Sequence, residues 1–281
     1  MEEVPPLPDD VLELGRGLIP RPVFLVGCAR SGTSILGETL AAHPAVAYLF
    51  EASFIWNDLV PARADHRLVA SDAGAEVARQ IYEALARERE GLPGNVLLEK
   101  NPKHVLRLPF LAALFPHARF VHIIRDGRDV AVSLAFRNRG TRWGHLEVPG
   151  WRDLLERYPE RNHVRCALQW RAAVSIARAD AERLPPGSYL EVRYESLVRE
   201  PAATLERALT FLDLPAAAEV DAFLPRIQDV TAGSYHARKQ VRHYVDNHAR
   251  RIGRYTENLS PAEVEELEEA CGDLLAALGY L

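Results

Sequence analysis

The chain has 281 residues, 48% of them hydrophobic and 26% charged, the make-up of an ordinary soluble globular protein with enough length for one large α/β domain or two small ones. Its net charge of 34 − 39 = −5 excludes nucleic-acid binding by overall charge. No apolar run reaches the roughly 20 residues of a membrane span, and the acidic, proline-rich start lacks the features of a signal peptide.

Residues 1–20, with Pro5, Pro6, Pro8 and Pro20 among early acids, read as an N-terminal tail ahead of a domain over 21–281. The domain opens with the apolar run Val23–Val26, which breaks at Gly27 into G-x-x-x-x-G-T-S and then a helical pattern. A glycine-rich turn between a buried strand and a helix gathers backbone N–H groups at the positive end of the helix dipole, a site for an anion. An NTP-binding loop would carry lysine where Thr33 stands; here the nearest cation is Arg30. A site for a less highly charged group, such as a sulfuryl group, can do without that lysine and the magnesium that accompanies it.

Three more β-rich runs follow, Val96–Glu99, Phe120–Ile124 and Tyr189–Val192, each nearly continuous in apolar residues as befits strands covered on both faces. Helical patterns separate them, so the expected fold is a P-loop-type parallel sheet with helices on both faces. The third run ends in Arg125-Asp126-Gly127-Arg128-Asp129, with Ser133 eight residues beyond Arg125. Arg125 at a strand end and Ser133 two turns into a helix can reach one phosphate from two sides, or these charges can form surface ion pairs. Glycines and prolines cluster over 139–160 and suggest a mobile lid. Residues 236–254 hold six Lys/Arg and one acid, a local anion site in an otherwise acidic chain. Ser260-Pro261-Ala262-Glu263 has the spacing of a capping box with proline at the first helical position. Cys28, Cys166 and Cys271 make no C-x-x-C pair; free thiols and a cytoplasmic setting are expected.

Taken in order, "PVFLVGCARSGTS", "LLEKNPKH", "FPHARFVHIIRDGRDVAVSLA" and "YESLVREPAATLERALTFLDL" resemble the PAPS-dependent sulfotransferases, closest to the branch of protein-tyrosine sulfotransferases and bacterial enzymes. The likeness covers about residues 20–215, with a weaker echo at the C-terminus. It implies metal-independent transfer of a sulfuryl group from PAPS to a hydroxyl acceptor, leaving adenosine 3′,5′-bisphosphate. By the same likeness Arg30, Ser31, Gly32, Thr33 and Ser34 hold the 5′-phosphosulfate, Arg125 and Ser133 the 3′-phosphate, and Tyr194 and Arg254 further parts of the nucleotide. Arg250 or Arg251 can substitute for Arg254. Glu51 falls at the position of the catalytic base, with His43, His104 and His122 as the histidine alternatives other sulfotransferases suggest. Lys100 matches the lysine that steadies the leaving oxygen, with Lys103 behind it and Glu99 expected to orient Lys100 or to pack at the strand end. Arg30 adds charge compensation.

Phe54, Trp56, Phe136, Trp143, Trp151 and Tyr235 are candidates for an acceptor pocket, and Arg137, Arg139 and Arg142 for holding an acidic acceptor. The acceptor itself, expected to be a small molecule, is not legible, nor is the oligomeric state. Two rivals stay open: a small-molecule P-loop kinase, for which Glu99 is the candidate magnesium-binding acid, and a catalytically silent nucleotide-binding protein.

Overall fold

Five parallel strands build one sheet in the order β2-β3-β1-β4-β5. They are β1 (Pro22–Val26), β2 (Val46–Phe50), β3 (Val96–Lys100), β4 (Arg119–Ile124) and β5 (Tyr189–Arg193). The structure, a computed structural model, describes residues 6–137, 146–228 and 248–281, with the side chains of Arg137 and Gln228 excepted. Trp143, Tyr235, Arg139, Arg142 and the basic stretch up to residue 247 lie outside the described residues, as does the Arg137 side chain.

The helices are α1 (Asp9–Leu18), α2 (Thr33–Ala41), α3 (Ser53–Asp58), α4 (Ala75–Arg89), α5 (Leu108–Leu114), α6 (Gly127–Arg137) and α7 (Trp151–Arg157), then α8 (Asn162–Ala181), α9 (Tyr194–Arg199), α10 (Pro201–Phe211), α11 (Ala218–Asp221), α12 (Pro225–Gln228), α13 (Tyr255–Asn258) and α14 (Pro261–Ala277). All five residues of β1 are buried, because alternate side chains enter two separate cores. Phe24 and Val26 join the core under α4, α5, α6 and α8; Val23 and Leu25 join the one under α2, α9 and α10. In the first core Phe24 stacks on Phe120 with centroids 5.7 Å apart and meets Phe115 at 5.5 Å. Such aromatic pairs each add about 0.5–1.5 kcal/mol beyond their burial.

Two elements differ from the sequence reading. Within the tail expected over 1–20, the described residues 6–20 are packed: α1 carries Val11 into the main core, Ile19 follows it there, and the helix packs on α4. Pro8 with Asp9 and Asp10 marks the helix start, and Val11 and Gly15 form its buried face, flanked by the half-buried Leu18. The other is β2, an edge strand whose inner residues Val46, Ala47 and Leu49 are buried and whose Tyr48 and Phe50 are half-buried. The capping box of α14 is formed as expected, Ser260 N–H donating to Glu263 Oε2 at 2.8 Å. Cys28, Cys166 and Cys271 are buried free thiols.

What matters for function is the placing of β1. Its chain leaves through α2 to β2 on one side, while β4 lies on the other, so loops diverge at the C-terminal ends of the central strands. In open α/β sheets that divergence is where ligands bind.

Candidate active site

The loop leaving β1 turns sharply, Ser31 N–H donating to the Cys28 carbonyl at 3.1 Å. Arg30 sits at φ +75° and Gly32 at φ +100°, and α2 begins at Thr33 with no side chain capping its N-terminus. Glycine is required at 32 on two counts. Its φ is in the left-handed region, and a Cβ there would lie 2.5 Å from Tyr194 Cδ2. The close approach lets the Tyr194 ring support the turn from below.

The end of β4 and the first turns of α6 form the second wall. Arg30 Nε donates to Ser133 Oγ at 3.0 Å, so the two stretches named separately from sequence meet directly. Arg125 Nη1 donates to the Arg30 carbonyl at 3.3 Å and Nη2 to the Arg251 carbonyl; the guanidinium also lies 3.2 Å from Asp129 and 4.6 Å from the Tyr194 ring centroid. Asp129 in turn accepts from Gly253 N–H at 2.9 Å and Tyr255 N–H at 3.0 Å. Burial pushes the Asp129 carboxyl up, against the opposing pull of Arg125. Through this relay α6 holds the C-terminal segment against the cleft. Arg125 Nε is buried with no partner among the described residues.

The third wall comes from the ends of β2 and β3. Phe50 is in register with Lys100, and the Glu51 N–H donates to the Lys100 carbonyl at 2.9 Å. Lys100 Nζ lies 2.5 Å from Glu51 Oε1 and 3.6 Å from the Phe50 ring centroid. The Lys100 side chain is 1% exposed and that of Glu51 39%. Burial draws the Lys100 ammonium below its usual range, with Glu51 pulling the other way. Glu51 itself is held at φ +48°, a conformation that non-glycine residues adopt only under constraint.

These walls enclose a cleft of about 290 Å³. Arg30, Gly32, Thr33, Ser34, Glu51, Lys100, Arg125, Ser133 and Tyr194 all line it. Ser31 and Arg254 do not: Ser31 is fully buried in the loop, and the C-terminal cation in the lining is Arg251. Backbone bonds from 253 and 255 to Asp129 fix this path, with Arg251 in the lining and Arg254 outside it. Five basic side chains and one carboxylate line the cleft of an acidic protein. With the hydroxyls of Thr33 and Ser34 at a helix start, this donor set suits a ligand carrying two separate anionic groups.

Of the two roles expected of Glu99, it takes the second and packs at the strand end, making no hydrogen bond to Lys100 among the described residues. Adjacent strand residues face opposite ways, and the Glu99 carboxylate, fully buried, accepts from Trp56 Nε1 at 2.9 Å and lies 2.6 Å from His104 Nε2. A magnesium-binding role at the cleft is therefore not available to it. None of His43, His104 and His122 lines the cleft. His43 bridges Ala45 N–H and the Pro215 carbonyl, and His122 is packed on the Tyr189 hydroxyl at 2.6 Å, its imidazole held down to about 3 by burial. Of the aromatic candidates, Trp56 is core, Phe54 and Phe136 are exposed, and Trp151 Nε1 donates to the Ala64 carbonyl; none lines the cleft. Lys103 does, donating to Asn57 Oδ1 at 2.7 Å. The sequence reading missed Ser53, Asn57, Asn101 and His248, which also contribute. His248 stood inside the basic run already singled out, and neutral residues there drew no attention.

A model of the sulfotransferase family matches residues 22–219, about 70% of the chain. The chain belongs to the sulfotransferase family. Among relatives, protein-tyrosine sulfotransferase 1 of Danio rerio is 28% identical over 203 residues, 69% of this chain and 53% of that one. Nodulation protein NoeE of Sinorhizobium fredii is 27% identical over 305 aligned positions, 95% and 68% of the two chains. This family member thus spans about half the length of the tyrosine sulfotransferases it matches. The fold is shared with a sulfotransferase domain from the curacin biosynthetic pathway (TM-score 0.54, 16% identity, 89% and 96% covered). It is shared also with a mouse sulfotransferase complexed with PAP (TM-score 0.52, 15% identity, 93% and 88% covered). No helix among the described residues is long and apolar enough to cross a membrane.

Proposed function

We propose that this sulfotransferase moves a sulfuryl group from PAPS to the hydroxyl of a small-molecule acceptor without a metal ion. The observation that carries the reading is the Glu51–Lys100 ion pair at 2.5 Å, standing in the same cleft as the phosphate loop and the Arg30–Ser133–Arg125 cluster. PAPS, when bound, supplies a sulfuryl group already activated by its bond to a phosphate oxygen.

The chain's own residues do the rest. The N-terminus of α2, with Thr33 and Ser34, binds the 5′ end, and Arg125 and Ser133 bind the 3′-phosphate. Glu51 takes the proton from the acceptor hydroxyl as the new O–S bond forms, an effect worth roughly 10²–10⁴ in rate. Lys100 and Arg30 supply positive charge to the phosphate oxygen released as the old S–O bond breaks. Charge preset where charge develops is the contribution that electrostatic catalysis rewards most.

Isothermal titration with adenosine 3′,5′-bisphosphate, AMP and ATP–magnesium tests the donor. The expected result is micromolar or tighter binding that requires the 3′-phosphate and weakens at least about tenfold in Arg125→Ala, since charge-assisted bonds are worth roughly 1.5–3 kcal/mol. Transfer of labelled sulfuryl to a hydroxyl acceptor then proceeds unaltered in EDTA. Equal or tighter binding of ATP–magnesium would sink the reading in favour of a kinase.

A further inference from the structure

His248 lines the cleft beside Arg125 and Arg251, and nothing in the proposed chemistry uses it. Among the described residues its ring has one hydrogen-bond partner: the Tyr194 hydroxyl lies 2.9 Å from His248 Nδ1 and 3.3 Å from the His248 backbone carbonyl. That position gives the hydroxyl two settings. Donating to Nδ1, it leaves a neutral ring with its proton on Nε2. Donating to the carbonyl, it accepts from Nδ1–H of a charged ring. A single O–H rotation therefore serves either protonation state without moving a heavy atom. Nε2 makes no hydrogen bond to any of the described residues.

Burial and the charged groups around the ring together decide which state holds. Tyr194 faces it from α9, Arg125 from the end of β4 and Arg251 from the turn at 249–251, while Asp129 of α6 lies behind Arg125. Burial, then Arg251 and Arg125, hold the imidazole down to about 4, so it is neutral at physiological pH. An anion seated on the two arginines would offset their charge and reverse that balance.

We infer that His248 is a nucleotide-binding residue that takes up a proton when the 3′-phosphate enters, its Nε2–H donating to that group, so that donor binding is coupled to proton uptake. The inference rests on the PAPS reading above. Because the bound state holds one proton more than the free state, affinity rises as pH falls between the two pKa values, by at most tenfold per pH unit. A phosphate monoester itself titrates near pH 6, so wild type and variants must be compared rather than read alone.

The test is isothermal titration with adenosine 3′,5′-bisphosphate at pH 6 to 8, in pairs of buffers that differ in ionisation enthalpy. Wild type should take up close to one proton more per nucleotide than His248→Gln at pH 6, and its Kd should tighten severalfold more between pH 8 and pH 6. Tyr194→Phe, which keeps the ring beneath Gly32 and removes the hydroxyl, should lose the same proton. AMP should show no difference between wild type and His248→Gln. Tight binding with identical proton counts in all three proteins overturns the inference and leaves the donor reading standing. Absence of any binding by wild type overturns the donor reading itself.

Discussion

Lys100→Met separates the chemical part of the Glu51–Lys100 pair from its structural part. Methionine keeps an apolar chain of similar length in the buried position over the Phe50 ring, so packing is retained. The ammonium lost is 1% exposed, while Glu51, the partner left behind, is 39% exposed and can be solvated where it stands. The usual penalty for stranding a charge in the core therefore does not arise, and the desolvation that depresses the Lys100 pKa is relieved. Exchanging buried ionic groups for well-packed apolar ones is commonly neutral or stabilising, and for this half-exposed pair a change between zero and about +2 kcal/mol is expected. At ~2.1 cal/mol/K per residue, 1 kcal/mol is about 2 °C of Tm for a chain of this size. Sulfuryl transfer should move the other way, falling by about 10²–10³ as when one preset charge donor is removed from a transition state. Thermal melts and steady-state transfer rates on the same preparation measure both. A Tm lowered by more than ~5 °C together with activity, or activity kept intact, would refute the reasoning.

The lining of the cleft ranks the C-terminal cations: Arg251→Ala should weaken adenosine 3′,5′-bisphosphate binding about tenfold or more, and Arg254→Ala less than threefold on the order of experimental scatter. Equal losses in the two titrations would contradict the placement of residues 248–254. His122 predicts an acid-side slope: the fold holds its imidazole at about 3, below the ordinary value near 6.5, so the unfolded chain takes up a proton that the folded one refuses. The contribution of His122 is thus fully present above pH 6.5 and declines by ~1.4 kcal/mol per pH unit as pH falls toward 3. His66 and His248, held at about 4, and His104 add to the same slope, so urea midpoints at pH 5 and 7 should lie closer together in His122→Gln than in wild type, and an unchanged gap would remove His122 as a cause.

Contiguous motifs were the legible part of this molecule. The phosphate loop and its following helix need only local sequence, and Arg125 and Ser133 are fixed relative to one another by a single strand-to-helix turn. Strands β1, β3 and β4 announced themselves because both faces are covered and their runs are mostly apolar, whereas β5 is the other edge of the sheet, with Val192 its one fully buried residue, and is not covered on both faces as its apolar run suggested. Edge strand β2 has one half-covered side, so "VAYLF" reads as a mere apolar run. The meeting of Glu51 with Lys100 depends on β2 and β3 being neighbours, a fact of sheet order that no spacing within the chain encodes. Resemblance placed both residues where topology could not. Glu99 shows the converse: one residue along the same strand reverses the side chain's face and takes it into the Trp56–His104 core. The choice of Arg251 over Arg254 hangs on two backbone N–H bonds to Asp129, and backbone hydrogen bonding across more than 120 residues leaves no trace in composition.

Three non-glycine residues among those described have positive φ, and two of them, Arg30 and Glu51, are a phosphate-loop cation and the proposed base. Left-handed backbone costs an ordinary residue about 1–2 kcal/mol. A population of variants screened only for heat resistance would therefore drift toward glycine or asparagine at positions 30 and 51, and would discard the two side chains while improving the scaffold. Laboratory evolution of this protein for robustness needs an activity gate at those two codons, and a consensus sequence built from its most thermotolerant descendants would hide the candidate site.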